Sequence, residues 1–144
     1  MNWQIVAIED LKNYKVMCMG AKNISDEITA IDETLYSVRT SKMSAAPAYG
    51  GGNTDDSILN GIVKRDRLEL NGSINDKLVT KIAQGLAALS ENEYLALEYF
   101  YINRPPNYMD VLAEKVKCER SEIYRLKDRA LRKFTIAMYG ITDL

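Results

Sequence analysis

From Trp3 to Val38 the apolar residues recur in steps of four and three, and this spacing restricts the chain more than any other feature. Trp3, Ala7, Tyr14, Met17, Ala21, Ile24, Ile28, Ile31, Leu35 and Val38 fall on one line, and only Asp10 interrupts it. Such steps place a single seam on a long helix, as in a coiled coil. The register is sharpest from Ile24 to Val38. Isoleucine and valine are poor formers of isolated helix, so packing against another element has to stabilise this stretch. Gly20 is a weak point and Ser25 has the chemistry of an N-cap. One continuous helix and two helices broken near these residues both fit the pattern.

A second helical stripe runs from about Asp55 to Leu89 through Ile58, Leu59, Ile62, Val63, Leu70, Ile74, Leu78, Ile82, Leu86 and Leu89. Within it, Asn71-Gly72-Ser73 is either a turn with Ser73 capping a new helix or a tolerated glycine costing ~1 kcal/mol relative to alanine. One long helix with a weak centre is the expectation. Between the stripes, residues 41–57 hold Pro47 and three consecutive glycines among small and polar residues. Such a composition buries too little surface to offset chain entropy and reads as a flexible linker. The expected organisation is all-α. It comprises a helical region over 1–40, a linker over 41–57, a long helix over 58–89 and a separate helical unit over 90–144. The long N-terminal helices would form a hairpin or coiled coil, with seams long enough to recruit a second chain as a homodimer.

The last unit is punctuated clearly. Ser90-Glu91-Asn92-Glu93 is a capping box, in which the Ser90 hydroxyl takes the Glu93 N–H and the Glu93 carboxylate reaches back. The helix it opens carries Tyr94, Leu97 and Tyr101 on one face and stops at Arg104-Pro105-Pro106, where two prolines forbid continuation. Asn107 is placed to cap a short helix, with Asp110 favouring its positive end. Val111, Leu112, Ala113 and Val116 are that helix's apolar residues. Lys117-Cys118-Glu119 is the break. A final helix from about Arg120 to Tyr139 turns Ile123, Leu126, Ala130, Leu131 and Phe134 inward. A short helix, a tight turn and a longer helix make a helix-turn-helix, whose second helix enters the DNA major groove. Ala113 would mark the closest approach of the two helices, and Cys118 would fill a small apolar pocket in the turn. Lys117 stands where many such turns use a left-handed glycine. A side chain there costs ~1–2 kcal/mol, so an altered turn is expected.

Charge supports the same unit. The chain carries a formal net charge of −1, yet residues 115–133 alone sum to +5, leaving −6 for the rest. A nucleic-acid binder of near-zero net charge has to concentrate its positive charge in this way, although a solvated helix face gives the same sums. The chain has no histidine, which excludes histidine-dependent triads, bases and zinc sites. Its two cysteines, Cys18 and Cys118, lack metal-ligand spacing. The glycine run at 50–52 is followed by no Gly-Lys-Ser/Thr and is not a phosphate loop. Carboxylates show no paired spacing beyond ordinary helix surface, so no enzyme, cofactor or metal site is expected. No membrane-length apolar stretch is present, and the expectation is a cytoplasmic protein with reduced thiols.

The residues of the final helix divide by face. Arg120, Ser121, Tyr124 and Arg125 lie opposite the core stripe near its start and are the candidates for reading base edges, since arginine pairs bidentately with guanine and serine donates or accepts. Glu122 either accepts from a cytosine amino group or simply favours the helix start. Arg104, Lys115, Lys117, Lys127 and Arg129 are candidates for phosphate contacts, which position without conveying sequence. Arg129 has an internal salt bridge as its competing role. Tyr94, Tyr99, Phe100 and Tyr101 are expected in the core, with a polymerase-facing patch as the alternative. Met17 and Met19 are expected in the core or at a dimer seam.

Residues 112–123 (Leu-Ala-Glu-Lys-Val-Lys-Cys-Glu-Arg-Ser-Glu-Ile) resemble the pattern of region 4 of bacterial sigma factors. Arg129-Ala130-Leu131-Arg132-Lys133-Phe134 resembles that region's "RALKKL" ending at the matching distance, and Leu89-Ser90-Glu91-Asn92-Glu93 its "LPERE" opening. Glu119 and Lys117 depart from the usual Ser/Thr cap and glycine. The whole layout is also similar to phage transcriptional regulators of the ArpU/RinA type. This resemblance implies a phage or prophage regulator that binds promoter DNA and activates late or structural genes with host RNA polymerase. Two other readings stay open: a protein-interaction module docking on RNA polymerase, and a small-terminase-like DNA-packaging adaptor.

Overall fold

A computed structural model describes residues 1–44 and 51–142, with side chains described for 1–40 and 56–142. It is all-helical. Its helices are α1 (Trp3–Ser44), α2 (Gly51–Ala87), α3 (Glu91–Leu97), α4 (Tyr108–Val116) and α5 (Arg120–Tyr139), and a π-helical turn over Glu98–Ile102 follows α3. Neither Gly20 nor Ser25 breaks α1, and Gly72 does not break α2. The linker expected over 41–57 is helical at both margins, because α1 runs through Ser44 and α2 begins at Gly51. Extending a formed helix by a residue costs far less than starting one, so small and polar residues are carried along. Positions 45–50, with Pro47 and Gly50, lie outside the described residues.

Contacts divide the chain into two units, Met19–Lys77 and Met1–Cys18 with Leu78–Leu144. In the first, α1 and α2 form an antiparallel hairpin. Neighbours run in opposite chain order, Gly20 by Asn75, Ile24 by Gly72 and Leu35 by Gly61, and Lys64 Nζ lies 3.0 Å from Glu27 while Arg65 clasps both Asp32 oxygens at 2.5 and 3.3 Å. Gly72 has its reason here. A Cβ on it would come within 3.1 Å of Ile24 Cγ2, so glycine lets the helices approach at the point where the sequence left a turn open. The single stripe read on α2 is two stripes. Ile58 lines a groove with Ile31, Leu35 and Val38 of α1 and Ile62 one with Leu35, whereas Leu59, Val63, Leu70, Ile74 and Leu78 are exposed.

The second unit holds two apolar cores that share α5. One gathers Ala7 and Leu11 of α1, Ile82 and Leu86 of α2, Leu97 of α3 and Ala130, Leu131, Phe134 and Met138 of α5. The other gathers Ala96 of α3, Met109, Leu112 and Val116 of α4 and Ile123 and Leu126 of α5. The N-terminal half of α5 therefore packs on α4, and its C-terminal half on α1, α2 and α3. Leu11 rather than position 10 fills the core. Asp10 instead accepts a hydrogen bond from the Tyr139 hydroxyl, which accounts for the one interruption of the N-terminal stripe. Gly85 lies against Phe134, where an added Cβ would meet the ring at 2.9 Å. Met17 packs on this core and Met19 is exposed.

Candidate nucleic-acid interface

The capping box forms as the sequence requires. Ser90 Oγ accepts from the Glu93 N–H at 3.3 Å, and the Ser90 N–H donates to Glu93 Oε1 at 3.1 Å. Glu93 is buried and also receives Lys133 Nζ of α5 at 3.1 Å, which ties the start of α3 to the C-terminal half of α5. Burial pushes the Glu93 carboxyl upward, but the Ser90 and Lys133 hydrogen bonds outweigh it and hold its pKa below the usual value.

One cap differs from the sequence reading, and one position departs from the usual cap as expected. Asn107 precedes α4 but makes no side-chain cap bond. Its backbone is not extended (ψ 37°), so the side chain is not placed to receive the N–H of Met109 or Asp110. Glu119, extended at φ −73° and ψ 161°, opens α5 through its backbone carbonyl alone, which receives the Ile123 N–H at 3.0 Å.

The turn keeps its left-handed residue although glycine is missing. Lys117 sits at φ 56° and ψ 45°, the one non-glycine residue with positive φ among the described residues. The Cys118 N–H reaches back to the Ala113 carbonyl at 3.3 Å and closes the end of α4. The expected alteration of the turn is thus absent, and strain at Lys117 takes its place. Cys118 does not fill an apolar pocket. It is exposed, with its thiol 3.4 Å from the Val116 carbonyl, because Val116, Leu112 and Ile123 already occupy the inside of the turn.

Arg120, Ser121, Tyr124 and Arg125 are all exposed on the first two turns of α5. The spacing of Ser121, Tyr124 and Arg125 keeps those three on one face. Both arginines have internal partners. Arg120 lies 3.2 Å from Asp110 of α4, and Arg125 lies 2.7 Å from Glu122. Arg120, Asp110 and Arg125 are each more than 70% exposed at the side chain. Exposed pairs of this kind contribute ~1 kcal/mol or less, whereas a bidentate contact to a guanine gives ~1–3 kcal/mol. Base edges would therefore outcompete both carboxylates. Asp128, one turn beyond Tyr124 on the same face and exposed, adds a negative charge beside these residues.

The phosphate candidates do not share one environment. Lys117 and Arg129 are exposed, and Arg129 forms no ion pair among the described residues. Lys115 stands over the Tyr99 ring at 5.2 Å, and its hydrogen bond to Tyr99 raises its pKa. Arg104 lies 4.1 Å above the Tyr108 ring and donates to the Tyr108 hydroxyl at 2.7 Å. Lys127 is drawn inward, its side chain only 20% exposed, paired with Asp128 at 2.8 Å and 5.6 Å from the Phe100 ring centre. Of the five it has the least surface to offer a phosphate.

Sequence reasoning missed Phe100 as the hub of this face. Its ring meets Tyr108 at 5.2 Å and Tyr124 at 5.9 Å, both edge-on. The π-helical turn makes this possible. Its Asn103 N–H to Glu98 carbonyl bond, 2.8 Å, spans five residues, and the extra residue rotates the following side chains by ~100° from α-helical register. Tyr99 and Phe100 consequently pack with α4 and Tyr101 with the other core, while Tyr94, which precedes the turn, is 36% exposed rather than buried. Two adjacent prolines mark where the helix must end, but nothing in the sequence marks a π turn.

No group of metal-ligating side chains and no helix long and apolar enough to cross a membrane occurs among the described residues. No protein-family model, curated protein or solved structure matches the chain.

Proposed function

We propose that the protein is a DNA-binding transcription regulator of phage or prophage type. Its α4–turn–α5 unit docks on promoter duplex with α5 in the major groove, acting with host RNA polymerase. The observation that carries the reading is the exposed face of Arg120, Ser121, Tyr124 and Arg125 on the first two turns of α5. That helix is braced by a buried core beneath it and flanked by exposed Lys117 and Arg129. The sequence resemblance to sigma region 4 over residues 89–134 supports the same reading. In it, α4 crosses the backbone, Arg120 and Arg125 leave Asp110 and Glu122 for base edges, and Lys115, Lys117 and Arg129 meet phosphates. Selection of bound sequences from random duplex DNA with the full chain tests this. Enrichment of a defined site is expected. No retention of duplex at moderate salt, with retention on RNA polymerase, would replace it with the docking-module reading.

A further inference from the structure

Within the second unit, an open groove lies between the start of α1, the π-helical turn and α4, with Lys15, Asn103, Arg104 and Pro105 among the residues that line it. Lys15 Nζ donates to Asn103 Oδ1 at 2.9 Å. That oxygen carries no charge, and Lys15 forms no ion pair among the described residues. Its own helix offers it none. The positions one turn away, 11, 12, 18 and 19, hold Leu, Lys, Cys and Met. Arg104 also lacks a carboxylate partner among the described residues, its contacts being the ring and hydroxyl of Tyr108. Asn103, with its oxygen taken by Lys15, keeps its amide N–H groups to donate. Glu98 is the one carboxylate in the lining, and the two cations outweigh it. Two cations without carboxylate partners and an amide donor on one groove fit an anionic oxygen ligand.

Ring contacts tie this groove to the exposed face of α5. The Tyr124 ring centre lies 5.9 Å from that of Phe100, Phe100 lies 5.2 Å from Tyr108, and Arg104 stands 4.1 Å from the Tyr108 ring centre. The three steps together are comparable with the ~12 Å width of a DNA major groove. With Tyr124 over base edges, Arg104 and the neighbouring Lys15 come within reach of the backbone that walls the groove. We propose that Lys15 and Arg104 form a second backbone-binding site, which holds phosphates of the duplex beside the bases that α5 reads. Helix α1 is then part of the DNA-binding surface, although its residues are 80 or more positions from the helix-turn-helix in sequence. The site presupposes the docking of α5 proposed above. It positions the duplex and conveys no sequence.

Fluorescence anisotropy of the full chain tests it, on the site selected from random duplex DNA and on an unrelated duplex, over a series of salt concentrations. Lys15→Gln should weaken both complexes together and flatten the slope of log K against log salt by ~0.9, the share of one phosphate. Lys15→Arg, which keeps the charge, should restore the slope that Lys15→Gln loses. Glu98→Gln, which removes the one carboxylate of the lining, should strengthen both complexes, a gain that damage to the fold does not produce. A Lys15–Asn103 bond that served only to hold the turn would leave the slope of Lys15→Gln unchanged. Native binding with that slope unchanged, or weaker binding in Glu98→Gln, would overturn the site while leaving α5 as the reading helix. A native chain that binds neither duplex would overturn both.

Discussion

The Tyr139 hydroxyl donates a hydrogen bond to the Asp10 carboxylate, joining residues 129 apart in the chain. The Tyr139 ring also stacks on Trp3 at 5.0 Å and carries Lys81 Nζ 4.5 Å from its centre. Burial, followed by the bond to Asp10, pushes the phenol pKa well above its usual range. The last turn of α5 is thereby fastened to the first turns of α1.

Tyr139→Phe removes the donor and leaves a half-buried carboxylate without it. A loss of about 1–2 kcal/mol in unfolding free energy is expected. Urea denaturation of the native chain, Tyr139→Phe, Asp10→Ala and the double variant closes a cycle. Losses that simply add would show that the bond contributes nothing of its own.

Lys117 carries the strain of a left-handed residue with a side chain. Lys117→Gly should raise the stability of the α4–α5 unit by up to ~1 kcal/mol, since relief of strain exceeds the added freedom of the unfolded chain. The same substitution should weaken binding to all duplexes alike. Thermal unfolding and a binding isotherm read the two effects separately.

Glu93 sets an acid limit. Its folded pKa lies below the ordinary value, so its contribution is fully present above the unfolded pKa of ~4.3 and is lost as pH falls through the folded one. Melting temperature followed from pH 6 to pH 3 should drop more steeply for the native chain than for Glu93→Gln, which keeps the cap geometry but does not titrate. Because Lys133 is 60% exposed, the ion pair adds little to the cap, and the two proteins should differ by no more than ~1 kcal/mol at pH 7.

Lys115→Ala removes an exposed cation near the end of α4, which the proposed docking sets against phosphate. Affinity for every duplex should fall together, and the slope of log K against log salt should flatten by ~0.9. A change confined to one sequence would make Lys115 a reader of bases instead.

Where the physics is local, the residues announced the structure. The Ser90 box, the end before Pro105, and the inward stripe of Ile123, Leu126, Ala130 and Phe134 follow from caps, breakers and periodicity alone. What escaped depends on contacts between distant segments. Gly72 reads as a break until Ile24 is found against it, and Asp10 reads as an error in a seam until Tyr139 is brought to it. The inner and outer stripes of α2 share one composition, so only the neighbour α1 tells them apart. At the candidate interface the exposure of Arg120, Ser121, Tyr124 and Arg125 was legible from their spacing. The Phe100 hub was not, because it follows from the π-helical turn, and neither was the inward position of Lys127 near that ring. The Asn107 cap failed because the backbone there is not extended.

The most direct test of the account compares Arg120→Ala and Arg125→Ala with the native chain on the site selected from random duplex DNA and on an unrelated duplex. Each substitution should reduce affinity for the selected site ~10- to 100-fold, the effect of ~1–3 kcal/mol per bidentate contact. Affinity for the unrelated duplex should change far less. Undiminished discrimination between the two duplexes in both variants would contradict the assignment of α5 as the reading helix.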